Sequence, residues 1–350
     1  MKVLLTGSAG FIGTAIGEVL DADGHEVIRV DLMLEMAHGA SAPPDGTHRL
    51  DVRSALDWPD LLQGVDVVCH QAAVVGAGVR VGDLPDYAGH NDLGTAALLA
   101  AMHDAGVSRL VLASSMVVYG EGRYVCPEHG DQAPPPRQVA ALDGGDFENH
   151  CRCGRSLDWA LVDEDARLDP RSSYAASKVA QEHYTSAWVR QAGARAVALR
   201  YHNVYGPGMP RDTPYSGVAA LFRSSLERGE PPQVFEDGGQ VRDFVHVTDV
   251  AHANLAALRA VVDDATAPYA AYNVASGAPV RILDVATLVA RGAGGGTGRE
   301  IAPEVTGGYR LGDVRHVVAS PARATAELGF TAAIGPEQGL PAFATAPLRA

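Results

Sequence analysis

At 350 residues and 47% apolar content, the chain is long enough to bury a full core and to form one enzyme of two lobes around a cleft. A formal net charge of −14 argues against nucleic acid as a partner, and no run of about eighteen apolar residues marks a membrane span. The amino terminus enters a strand pattern directly, without a basic leader region, so no signal peptide is expected and the expected compartment is the cytoplasm.

The first strand is predicted at Val3–Leu5, followed by Thr6-Gly7-Ser8-Ala9-Gly10-Phe11-Ile12-Gly13 and a helix over Thr14–Leu20. Glycines placed this way permit a tight turn, let backbone N–H groups approach a pyrophosphate, and allow the helix to pack closely on the strand. A second strand, Glu26–Val30, ends in Asp31, where a carboxylate accepts from a ribose 2′-hydroxyl and repels a 2′-phosphate. That order of elements points to NAD rather than NADP. Further strands are predicted at Val65–His70, Leu110–Ala113 and Ala196–Arg200, with helical segments between them. The alternation is that of an α/β fold with a Rossmann-type doubly wound parallel sheet. Beyond Gly206, proline and glycine punctuate shorter elements and indicate a smaller α+β substrate lobe. Gly292–Gly298 reads as a flexible surface loop, and the last dozen residues read as mobile.

Tyr174-Ala175-Ala176-Ser177-Lys178 places a phenol and an ammonium on one helical face. A nearby cation favours phenolate, so Lys178 is expected to draw the Tyr174 pKa down toward the range of a general base. Ser115 can hold the substrate oxygen whose proton is taken. An anionic substrate needs a local cationic clamp, which Arg242 and Arg310 can supply through forked contacts to a diphosphate.

With these motifs stand Asp51-Val52-Arg53, His70-Gln71-Ala72-Ala73, Asn91-Asp92-Leu93-Gly94-Thr95 and Ser114-Ser115-Met116-Val117-Val118-Tyr119-Gly120. Leu199-Arg200-Tyr201-His202-Asn203, the run from Gly238 to Val250, and Arg310-Leu311-Gly312-Asp313 complete the set. Together they resemble the extended short-chain dehydrogenase/reductase family, and within it the nucleotide-sugar epimerases and dehydratases, over nearly the whole chain. The resemblance implies that Gly7, Gly10 and Gly13, with Phe11, Ile12 and Ala72, surround the cofactor. It places Asp31 at the adenosine ribose, and Asp51 and Val52 at the adenine. Asn203 matches a position that contacts the substrate, though as a residue it equally suits capping of the following turn. His202 reads better as a packed histidine than a catalytic one. The expected division is 1–203 plus 243–262 for the NAD domain, and 204–242 plus 263–350 for the sugar-nucleotide lobe. A homodimer through the helices following Asn91 and containing Tyr174 is implied as well.

One stretch, 121–169, departs from the family pattern as an insertion mostly without helical or strand periodicity. It contains Cys126-Pro127-Glu128-His129-Gly130 and His150-Cys151-Arg152-Cys153-Gly154, two knuckles with ligand-pair spacing. Cys126, His129, His150 and Cys153, with Cys151 as a substitute for His150, can close a tetrahedral structural zinc site. A disulfide or unpaired thiols are the competing readings.

The chemistry depends on the two residues after Ser115. In the 4,6-dehydratases that the chain resembles, an Asp-Glu pair comes after the hydroxyl residue; here Met116-Val117 cannot move a proton. The expected reaction is therefore NAD-dependent 4-epimerisation of a nucleotide sugar. The stretch from Gly206 to Val218, with the Cys/His insertion, resembles a bacterial subgroup acting on dTDP-L-rhamnose and giving dTDP-6-deoxy-L-talose. UDP-glucose or UDP-glucuronate 4-epimerisation is the alternative, and a non-catalytic NAD or sugar-nucleotide regulator is the alternative of another class.

Overall fold

The structure, a computed structural model, describes residues 1–78, 80–211, 217–297 and 301–349. The Gly206–Val218 stretch is thus described only in part, and Gly298 lies outside the described residues.

Seven parallel strands form the central sheet, in the spatial order Tyr269–Val274, Arg195–Tyr201, Arg109–Ser115, Val67–His70, Lys2–Thr6, Glu26–Asp31 and Thr47–Arg49. The inner strands are apolar on both faces because helices cover both. Val3 and Leu5 point toward the helices Phe11–Ala22 and Val247–Val262, where Ile16, Leu20, Val250 and Leu258 complete one core. Leu4 points the other way, into a second core with Leu98, Met102 and Trp188 from the helices Gly94–Asp104 and Ser173–Ala192. Alternation with period two therefore feeds two cores at once. The strand order reverses beside Lys2–Thr6, and ligands of doubly wound sheets bind at the carboxyl ends of strands at such a reversal.

A third core, built around Tyr205, Phe222, Phe244, Val285 and Phe343, belongs to the smaller lobe. Its three-stranded sheet joins Asn203–Tyr205, Val241–His246 and Pro279–Arg281. No helix among the described residues is long and apolar enough to cross a membrane.

Several expectations change. Thr47–Arg49 and Tyr269–Val274 are sheet strands that local pattern did not reveal, and the second lies beyond the lobe boundary expected after Val262. It pairs with Arg195–Tyr201 over six residues, so it belongs with the large sheet. The glycine-rich segment is not a surface loop through residue 297: it continues the helix Ile282–Thr297. Gly292 is needed there for packing, since a Cβ would lie 2.1 Å from the Pro341 carbonyl oxygen. The carboxyl terminus is also pinned. Arg349 N–H donates to Met209 O at 3.1 Å, and Arg211 N–H donates to Arg349 O at 3.1 Å.

The insertion is folded as well. Arg123–Cys126, Gly130–Gln132 and Asp158–Ala160 make a three-stranded antiparallel sheet, joined by the short helix Val139–Asp143. Strands of three or four residues carry too little periodicity to be read from sequence.

Candidate active site

A cleft of about 530 Å³ opens at the strand reversal. Gly7, Gly10, Phe11, Ile12, Gly13 and Ala72 line its inner wall. Close approach explains two of the glycines: a Cβ on Gly7 would lie 2.7 Å from Ala72 N, and one on Gly13 2.0 Å from Gly7 O. The helix Phe11–Ala22 starts at Gly10 without a side-chain cap or an acidic residue in its first turn. Its leading N–H groups therefore face the cleft as a site for a pyrophosphate.

Asp31 lines the next part of the cleft and accepts from Met33 N–H at 2.8 Å and Ala9 N–H at 3.0 Å. Burial opposes its ionisation, but His38 and those two N–H groups outweigh it and hold the carboxyl below its ordinary value. A fixed anion thus stands where an adenosine ribose would lie. Asp51 and Val52 line the same end, and Arg53 Nη2 donates to Asp51 Oδ2 at 2.6 Å. Glycine turn, open helix terminus and carboxylate fit NAD.

Ser115 ends its strand, whereas Tyr174 and Lys178 come from the helix Ser173–Ala192, and all three meet in the cleft. Ser172 caps that helix by accepting from Ala175 N–H at 3.2 Å. Ser115 Oγ accepts from Val117 N–H at 3.4 Å. Lys178 Nζ donates to the Ala113 carbonyl at 2.9 Å. Asn91 supports the arrangement from behind: Nδ2 donates to Val74 O and to Ser177 Oγ, each at 2.9 Å, and Oδ1 accepts from Val74 N–H at 2.7 Å.

The expected lowering of the Tyr174 pKa is not found. Burial pushes the phenol above its ordinary value, with Ser115 pulling the other way and Tyr87 adding to the rise. Burial also pushes Lys178 down to about 8, against the pull of Glu182 and Asp92. Desolvation wins because the ammonium sits 6.0 Å from the ring centroid and is occupied by a carbonyl.

At the outer end, Asn203 lines the cleft and its buried Oδ1 has no hydrogen-bond partner among the described residues, so it does not cap the following turn. His202 is buried and lines the cleft; burial, reinforced by Arg242, pushes it to about 3, so it is neutral and unsuited to acid catalysis. Of the two expected cations, Arg310 lines the cleft, stacked 4.9 Å over the Phe235 ring. Arg242 does not line it. Its guanidinium donates to the carbonyls of Val241, Arg315 and Val314 at 2.9, 2.7 and 2.5 Å, which commits the donors to backbone. Arg349 takes a place in the lining that sequence did not reveal, donating from Nη1 to Ala9 O at 2.6 Å across 340 residues. No local signal marks it. Among the described lining residues the carboxylates are Asp31 and Asp51, and the lining residues that flank Ser115 in sequence are Ser114 and Met116.

Outside the cleft, Cys126, His129, Cys151 and Cys153 bring four ligand atoms within 4.8 Å of one another. His150 is turned away, with Nε2 at 2.8 and 2.9 Å from the Asp146 carboxylate oxygens, and Cys151 stands in its place. All four cysteines of the chain are free thiols, so the disulfide reading fails. Both knuckles turn on their trailing glycines, with φ +67° at Gly130 and +85° at Gly154. Sγ of Cys126 lies 3.8 Å from that of Cys153, and His129 Nδ1 lies 3.5 and 3.4 Å from Sγ of Cys126 and Cys151. Tetrahedral zinc with ordinary bond lengths requires edges of about 3.8 Å between sulfurs and about 3.6 Å between sulfur and nitrogen.

The family model for the NAD dependent epimerase/dehydratase family matches residues 3–140 and 157–275. A dTDP-L-rhamnose 4-epimerase of Burkholderia thailandensis is 33% identical, across 97% of this chain and 93% of that protein. A UDP-glucose 4-epimerase of Mycolicibacterium smegmatis is 29% identical, across 97% and 96%. Among solved structures, the Thermus thermophilus UDP-glucose 4-epimerase complex with NAD is similar with a TM-score of 0.74 and 31% identity, covering 98% of each chain. MoeE5 in complex with UDP-glucose and NAD gives 0.75 and 29%, covering 98% of this chain and 97% of that one.

Proposed function

Because this chain belongs to the NAD dependent epimerase/dehydratase family and is an NAD-dependent nucleotide-sugar 4-epimerase by its relatives, we propose that its own substrate is dTDP-L-rhamnose, converted to dTDP-6-deoxy-L-talose. The observation that carries the reaction is the meeting of Ser115, Tyr174 and Lys178 in one cleft whose described lining carries no carboxylate at Met116 or Val117 to drive dehydration. Supporting the 6-deoxy sugar are the relative from Burkholderia thailandensis and the apolar side chains of Val75, Met116 and Val204 in the lining, which suit a methyl better than a carboxylate.

Bound NAD supplies the hydride acceptor and donor. The chain's own side chains do the rest. Tyr174 takes the proton of the C4 hydroxyl and returns it, and Ser115 holds the C4 oxygen through both transfers. Lys178 steadies the developing phenolate charge. Asn203 and Arg310 hold the nucleotide end while the sugar turns to present its opposite face. Incubating the purified protein with dTDP-L-rhamnose, UDP-glucose and UDP-glucuronate separately, and following products by NMR, tests the reading. Turnover of a UDP-sugar with no reaction of dTDP-L-rhamnose overturns the substrate.

Three further features belong to this reading. Cys126, His129, Cys151 and Cys153 hold a structural zinc ion, closed to substrate because four protein ligands leave no open position. Four cysteines without a disulfide suit a reducing cytoplasm. Two copies pair through the helices Gly94–Asp104 and Ser173–Ala192, beside which Leu84, Leu93 and Tyr184 are exposed. Sedimentation of a single monomeric species would overturn the pairing.

A further inference from the structure

The metal cluster and the cleft share a segment. Residues 309–316 carry Arg310, and the insertion holds that segment at several points. Tyr309 Oη donates to Asp143 Oδ1 at 2.6 Å, directly beside Arg310. Arg137 donates from Nη2 to Asp313 O at 2.7 Å and from Nη1 to Phe147 O at 3.0 Å. Arg315 N–H donates to Glu121 Oε2 at 3.2 Å, and His316 N–H donates to Tyr124 Oη at 3.0 Å. Arg315 and His316 also bond to Glu148 through their side chains, at 2.9 Å from Nε and 3.1 Å from Nε2.

Tyr124 connects these contacts to the metal cluster. It sits on the strand Arg123–Cys126, two positions from a ligand and on the same face, and packs with Cys126, Cys151 and Leu157 in one buried cluster. That cluster has four residues, and the sheet around it has strands of three and four residues. Such a sheet buries too little to hold itself rigid, and a metal ion supplies the missing folding free energy. The cofactor end is independent. Among the described residues, the polar partners of Asp31 are Ala9, Met33 and His38, all outside the insertion.

Resting on the zinc and sugar-nucleotide readings, we propose that the metal knuckle is a positioning device for the substrate diphosphate. It makes the insertion rigid, the insertion braces the 309–316 segment on one side while Arg242, Glu236 and Asp237 hold it on the other, and the segment presents Arg310 to the cleft. Arg137 and Tyr124 are positioning residues that act through Arg310. The consequence is selective: loss of the metal loosens the grip on the nucleotide diphosphate and leaves NAD in place.

The test uses the full chain as purified, with zinc measured by mass spectrometry, NAD released and quantified by chromatography, and dTDP and UDP titrated by calorimetry. The wild type is expected to hold one zinc per chain. Cys153→Ser is expected to lose zinc, keep NAD, and bind the preferred nucleotide about tenfold more weakly. Tyr124→Phe, which keeps every ligand, is expected to retain zinc and NAD and to weaken the same nucleotide. Unchanged nucleotide affinity in zinc-free Cys153→Ser overturns the positioning role. If that variant does not fold, unchanged affinity in zinc-loaded Tyr124→Phe overturns it. A wild type without zinc sinks the metal reading, and a wild type binding neither nucleotide sinks the sugar-nucleotide reading.

Discussion

Lys178 and Tyr174 share a helical face, yet the ammonium nitrogen lies 6.0 Å from the phenol ring centroid and donates to Ala113 O at 2.9 Å. The lysine is a buried charge held by a carbonyl at the floor of the cleft. In this geometry burial holds the phenol above its ordinary value.

Removal of that hydroxyl is the direct check on the chemistry. Tyr174→Phe keeps the ring and its packing against Tyr87, 5.8 Å between centroids. It is expected to lose roughly 10²- to 10⁴-fold or more in kcat while NAD remains bound. Measured kcat within a factor of a few of wild type would mean that another group moves the proton.

Lys178 also sets an expected pH dependence. Its folded pKa is depressed to about 8 by burial, so the ammonium is lost as pH rises through that value. Asp92, raised to about 6 by burial against the pull of Lys178, is ionised above that pH and favours the charged lysine. Activity should therefore fall on the alkaline side near pH 8. Asp92→Asn should move that limb to lower pH, because a supporting anion is gone. A limb that stays in place in the pH–rate profile contradicts the coupling.

Cofactor choice turns on Asp31. Asp31→Asn keeps one acceptor for the Met33 or Ala9 N–H but removes the charge facing a 2′-phosphate. The affinity ratio of NADP to NAD is expected to rise roughly tenfold. Fluorescence titration with both reduced cofactors measures it, and an unchanged ratio would place the discrimination elsewhere.

For the metal cluster, the structure separates two neighbouring residues. His150→Ala should leave the zinc content at the wild-type level, because His150 is paired with Asp146. Cys151→Ser should lower it, because Cys151 Sγ lies 3.4 Å from His129 Nδ1 within the cluster. The reverse pattern in metal analysis would restore the ligand set expected from spacing.

An acid-side effect should appear in the segment carrying Arg310. Burial opposes ionisation of Glu148, but hydrogen bonds from His316 and Arg315 hold its carboxyl down at about 2. A depressed carboxyl contributes stability above its ordinary value of 4.5 and loses it as pH falls toward 2. Glu148→Gln should flatten the decline in thermal stability across that window; an identical slope in both proteins would show that the pair does not matter.

Sequence alone determined what is local. The apolar runs at Val3–Leu5 and Ala196–Leu199 read as strands because an inner strand covered on both faces is apolar throughout. Gly7 and Gly13 announced the cofactor turn because no larger residue fits there. Tyr174 and Lys178 were legible because helical spacing alone puts them on one face. The sequence also carried both cysteine knuckles, since a short turn is set within a few residues. Tertiary structure decided what depends on distant partners. The edge strands Thr47–Arg49 and Tyr269–Val274 exist because a sheet edge accepts them. Arg242 went to backbone carbonyls and Arg349 entered the cleft because carbonyls far along the chain captured or directed their donors. Cys151 replaced His150 because chain direction within the knuckle selects which neighbour faces inward. Burial, a property of the whole fold, reversed the expected effect of Lys178 on Tyr174, because desolvation of a phenolate outweighs a cation already committed to a carbonyl.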